Sequence, residues 1–160
     1  MLLWYVGLSV LIVYFVFQSA GVDYRLVVVG SLLPLAVDLP FLGLAYGHTL
    51  LASVGLLALV MLLTIGRARL VRRRLLCLPI GAFCGLLLSA AWTNSDVFWW
   101  PFTRASLPTG SLFPAAGLVV LEELAGLAAC AWIAVRFGLT DGERRDEFLR
   151  TGRLRATAPS

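Results

Sequence analysis

LVVVGSLLPLAVDLPFLGLAY, residues 26–46, is an apolar run barely long enough to cross a bilayer, and it carries Pro34, Asp38 and Pro40 inside it. A proline removes a backbone donor and kinks a helix, so this segment is predicted to be broken. Irregular backbone at membrane depth survives only where protein or a wet cavity covers it. The run therefore spans with a kink or re-enters from one side.

Four other apolar runs flank it, at 2–17, 49–65, 75–91 and 113–135. Hydrophobic residues make up 60% of the 160-residue chain, more than a soluble domain of that size would bury. Repeated runs near the spanning length read as an integral membrane protein, and continuous runs read as helices. A β-barrel would instead show alternating strands of about ten residues. The fold class is all-α, a membrane bundle of four or five transmembrane helices in one domain, 1–138. The first run lacks a basic leader and an A-x-A cleavage site, so it reads as a helix and not as a signal peptide.

All thirteen basic residues are arginine. Arg67, Arg69, Arg72, Arg73 and Arg74 crowd one short loop, and Arg136, Arg144, Arg145, Arg150, Arg153 and Arg155 load the C-terminal end. Positive loops face the cytoplasm, so both should be cytoplasmic, and nucleic acid is not the implied partner. The 92–112 loop then faces outward. If run 26–46 spans, the N-terminus is outside, Arg25 is inside and there are five crossings; if it re-enters, there are four. Residues 139–160 read as a cytoplasmic tail. Thr140 and Glu143 fit a capping box, Phe148 and Leu149 form an apolar edge, Gly152 stops the helix, and the last residues are expected to be disordered. Cys77, Cys84 and Cys130 sit inside apolar runs without C-x-x-C spacing, as packing residues do.

Ionisable residues inside apolar segments are costly, which makes them the first functional candidates. They are Asp38, His48, Glu122 and Glu123, with Asp96 just outside. A single outer-leaflet cavity would collect them, and one imidazole with several carboxylates suits a divalent metal. The competing readings are structural. His48 caps a helix or sits among headgroups, Asp38 satisfies amides freed by the prolines, and one glutamate bonds a neighbouring helix. Trp99, Trp100 and the neighbouring phenylalanines read as an interfacial belt, or as a lid over a substrate. Ser89 has no base near it in sequence to activate it.

Three blocks together, GSLLPLAVDLPF (30–41), GHTLL (47–51) and PIGAFCGLLLSAAWTNSDVFWWPF (79–102), resemble the membrane-bound metal-dependent hydrolase family, the YdjM-type inner-membrane proteins, in its actinobacterial branch. The tail sequence EFLRTGRL agrees with that branch. The resemblance implies that Asp38 and His48 are metal ligands and that Glu123 supplies a further acid. It also places Leu35, Gly85 and Ser89 where the family has Asp, His and Asp. Glycine cannot ligate, and a neutral serine is a poor ligand. The expectation is a hydrolase-like scaffold of the cell envelope that is catalytically degenerate and holds no metal tightly. It would act as a structural or binding subunit against lipid or a membrane-protein partner, its outward cavity framed by Pro34, Pro40, Ser89, Trp92, Trp99 and Trp100. The alternative is an active hydrolase at the outer face, with Asp38, His48, Asp96 and Glu123 binding zinc or manganese to cleave a lipid-linked or phosphate-containing substrate.

Overall fold

A computed structural model describes residues 1–19, 21–41, 43–44, 46–103, 110–111 and 116–154. The described chain is helical apart from a two-residue antiparallel ladder, β1 (Gly43–Leu44) against β2 (Gly110–Ser111). The helices are α1 (Leu2–Phe17), α2 (Tyr24–Asp38), α3 (Leu50–Leu63), α4 (Arg69–Leu75), α5 (Cys77–Leu88), α6 (Ser95–Phe98), α7 (Ala116–Phe137) and α8 (Gly142–Thr151). The all-α expectation holds. Only α7, at 22 residues, is long and apolar enough among the described helices to cross a membrane unaided; α1 and α3 are shorter apolar helices.

The expected break in residues 26–46 lies elsewhere than Pro34. Helix α2 runs unbroken through Pro34 and stops at Asp38, and Pro40 falls in the 3-10 turn Leu39–Phe41 that follows. Pro34 is held from outside by the turn Tyr46–His48: a β carbon on Gly47 would overlap the Pro34 carbonyl oxygen. Glycine is the residue that permits this approach. Within run 26–46 the helix thus ends at Asp38, and the chain folds back over that end.

Two pairs of helices meet backbone to backbone. In α5 the sequence GAFCG (81–85) puts two glycines on one face, the small-xxx-small spacing of closely packed helices. A β carbon at Gly81 would overlap the Val27 carbonyl, and one at Gly85 the Ser31 carbonyl; Gly30 on α2 faces Leu78 and Gly81 in return. Contacts 27 to 81 and 31 to 85 make α2 and α5 parallel. Gly7 and Gly126 do the same for α1 and α7, with a β carbon at Gly7 standing 2.7 Å from the Gly126 oxygen. The α1–α7 pair is also parallel, because Tyr14 stacks edge-on against Phe137, 5.1 Å between centroids, further along both helices. Trp4 donates from Nε1 to the Leu88 carbonyl at 3.1 Å, and Val13 and Phe17 border one hollow with Cys77 and Ile80, so α1 is antiparallel to α5.

These pairings sort the chain into two ends. Asp38, His48, Ser89 and the start of α1 lie at one. At the other lie the α1–α2 turn, the arginine-bearing α4 and the tail. Leu76 between α4 and α5 has helical dihedrals, φ −62° and ψ −21°, so 69–88 is nearly one rod, about 30 Å long. Val10, Val13, Tyr24, Val27, Cys77 and Phe137 form the core between α1, α2, α5 and α7. Cys77 and Cys84 are buried and all three cysteines are free thiols, as their setting in apolar runs suggested.

The tail is docked and is not a loose appendage. Asp141, not Thr140, caps α8, accepting from the Glu143 N–H at 3.3 Å. Gly152 ends the helix with φ +69°, as its position suggested, and its carbonyl accepts from Tyr24 N–H at 2.8 Å. Arg25 donates to the Leu149 carbonyl at 2.6 Å while pairing with Asp23 at 3.0 Å. Phe148 and Leu154 pack onto the core, and Leu149 faces outward. The chain beyond Leu154 lies outside the described residues.

Candidate functional site

The only histidine lies on the short turn between α2 and α3. Thr49 starts α3 as its N-cap, accepting from Ala52 N–H at 3.1 Å, and this anchors the turn over the end of α2. Asp38, the last residue of α2, receives the turn in two places. Its Oδ1 accepts from Gly47 N–H at 2.6 Å, and its Oδ2 meets His48 Nδ1 at 2.7 Å. Both side chains are buried, Asp38 at 0% and His48 at 1% exposure. With a carboxylate as its partner, Nδ1 is the ring nitrogen that donates in this contact.

That pair is the part of the expected ligand set that the structure assembles. Glu123 takes the Met1 amino group and the Leu3 N–H, the latter at 3.1 Å, and so closes the start of α1 against α7. Glu122 has one buried oxygen without a hydrogen-bond partner among the described residues. Asp96 opens α6, half-buried, and its backbone carbonyl accepts from Thr103 at 3.5 Å. Among the described residues no three His, Cys, Asp or Glu side chains gather where they could hold one ion.

Of the three other positions where the resemblance expects ligands, Leu35 lies on α2, and Ser89 and Gly85 have local roles. Ser89 ends α5, donating from Oγ to the Leu86 carbonyl at 2.8 Å. Gly85 is filled from outside by Ser31. An imidazole there would have to displace the backbone of α2. Sequence reasoning noted that glycine cannot ligate but missed why glycine stands there; the G-x-x-x-G spacing within an apolar run was the available signal.

No family model, no curated protein and no solved structure matches this chain. Its chemistry must be read from the site.

The aromatic segment closes the same end of the molecule. Trp92 and Trp99 are exposed, whereas Trp100 turns inward and stands edge-on to Tyr46 at 5.4 Å. Val97 on α6 is fully buried beneath them. A cavity of about 250 Å³ opens beside the turn between α2, α3 and α5, lined by Pro34, Val37, Gly47 and Leu56. Neither Asp38 nor His48 lines it. The pair is buried under the turn at the end of α2, beside this apolar cavity.

Proposed function

We propose that this chain is a five-crossing protein of the bacterial cytoplasmic membrane, a divergent relative of the membrane-bound metal-dependent hydrolases that serves as a structural or lipid-binding subunit without catalysis. The observation that carries the non-catalytic part is Gly85. Its backbone packs on Ser31, so the position where the resembled family carries a ligand histidine is given over to helix packing. Asp38 and His48 fit the same reading as a buried latch that fastens the turn to α2.

The membrane reading rests on an inverted distribution of polarity. Ser9, Ser31, Ser53, Asp38 and His48 are buried, while Leu62, Leu63, Leu121 and Val135 face outward. Only 17% of the most apolar window of α7 is buried inside the protein, unlike the core helix of a soluble fold. Without water outside, helices gain little from burying leucine against each other; close approach through small residues is what holds them, as at Gly81, Gly85, Gly7 and Gly126. In this orientation α1, α2, α3, the α4–α5 rod and α7 cross, the arginine end is cytoplasmic, and Asp38 and His48 lie toward the outer face.

A topology experiment checks this. In a cysteine-free background, a cysteine at Gly66 should label only after the membrane is permeabilised, and one at Phe102 should label in intact cells. The protein should stay in the pellet after carbonate washing. Release by carbonate, or labelling of both sites from outside, would contradict the reading.

A second reading has one observation in its favour. A histidine whose Nδ1 is held by a carboxylate presents Nε2 in the manner of a metal ligand with its supporting acid. In that case Asp38 orients His48 and the metal-dependent hydrolase function survives.

A further inference from the structure

An apolar groove runs along the outside of the bundle between α1, α3 and α5. It has a volume of about 460 Å³, within the range of ligand sites, and is walled by Ile12, Val16, Val54, Leu57, Pro79 and Phe83. Its lining is almost wholly hydrocarbon. Phe17 and Ile80 belong both to this groove and to a second, smaller hollow of about 170 Å³ toward the arginine end, so the two lie side by side. The smaller hollow is bordered by Ser19, Gly21 and Arg73.

One arginine at that end borders the hollow. Arg73 reaches toward the α1–α2 turn, with Nη2 3.4 Å from Ser19 Oγ. Arg72, next to it on α4, reaches the other way, with Nη2 3.2 Å from Met61 Sδ at the end of α3. Both side chains are exposed, and among the described residues neither is paired with a carboxylate. The nearby carboxylate of Asp23 is taken by Arg25. A hydrocarbon trough ending at the Arg73 guanidinium, which has no carboxylate partner among the described residues, complements an amphiphile with an anionic head. Arginine suits such a head because its planar fork meets phosphate oxygens in pairs.

We propose that this groove is a binding site for an anionic phospholipid of the cytoplasmic leaflet. One acyl chain lies between α1, α3 and α5, and the phosphate is held by Arg73 beside Ser19 and Gly21. The site rests on the membrane reading above. It is independent of the Asp38–His48 pair, which lies at the other end of the bundle.

Native mass spectrometry of the detergent-purified full chain, titrated with phosphatidylglycerol or phosphatidylcholine, tests it. The chain should retain phosphatidylglycerol in preference to phosphatidylcholine. Arg73→Gln should lower that occupancy about fivefold, the share expected of one basic residue at a membrane surface. Ile80→Trp, which fills the groove and leaves the charge unchanged, should lower it as well. Arg145→Gln in the tail should not. Equal binding of the two lipids, or equal loss in Arg145→Gln and Arg73→Gln, would overturn the site. So would a second copy of the chain seated in the groove, seen as a dimer that Ile80→Trp dissociates. A protein that carbonate strips from the membrane fails the membrane reading instead, and the two failures are told apart by that wash.

Discussion

Gly85→His will weaken the protein instead of equipping it. The substitution restores the residue type that the resembled family carries, yet its β carbon must enter space held by the Ser31 carbonyl, which is backbone and cannot swing aside. Helices α2 and α5 would have to separate along the contact that also includes Gly30, Gly81 and Leu78. Overpacking of this kind costs about 1–3 kcal/mol, and more when backbone has to move. For a chain of this length, that is roughly 2–12 °C in melting temperature. Even Gly85→Ala should fall in that range, because the first carbon is the one that overlaps. Gly55→Ala provides the control. Gly55 lies on α3, and a β carbon added there would meet nothing within 4 Å, so alanine should leave the melting temperature unchanged or slightly raised. Thermal unfolding in detergent measures all three. If Gly85→Ala melts with wild type, the close packing of α2 on α5 is not what holds the bundle.

The second large effect is expected at His48. His48→Ala leaves the buried Asp38 carboxylate with one of its partners gone, and breaking a buried pair from one side typically costs about 3–5 kcal/mol. The Gly47 N–H remains on the other oxygen, which keeps the loss toward the lower end. Asp38→Ala should cost a similar amount because it releases both Gly47 and His48 from the end of α2. The two losses should not add. Residues in direct hydrogen-bond contact couple, and the double variant should be less damaged than the sum by about 1 kcal/mol or more. Strictly additive losses would mean that the 2.7 Å contact does not fasten the turn.

How much of this was legible beforehand differs from place to place. The apolar runs announced helices, and the arginines sorted the two ends, because both signals are local and repeat along the chain. Gly152 was read correctly as a helix stop for the same reason: a positive φ is a property of one residue. Pro34 misled. Proline weakens a helix locally, but whether the helix breaks depends on what covers it, and the cover here, Gly47, comes from a turn thirteen residues on. The tail misled in the same way, since Thr140 and Asp141 are equally good caps by type and the docking through Tyr24 and Arg25 is made by distant residues. At the site, residue chemistry grouped Asp38 with His48, and their side chains meet. It also grouped Glu123 with them. Depth along a helix is readable from sequence, but the direction a side chain faces around the bundle is not. Glu123 faces the start of α1.

The central claim is that the Asp38–His48 pair is a latch and not half of a metal centre. Metal content tests it most directly. The full-length protein should be purified in detergent, equilibrated with zinc or manganese, desalted, and assayed for bound metal beside His48→Ala. The account predicts well under one ion per chain, and no difference between the two proteins that follows His48. One tightly held ion per chain that disappears in His48→Ala would contradict it and return the site to hydrolysis.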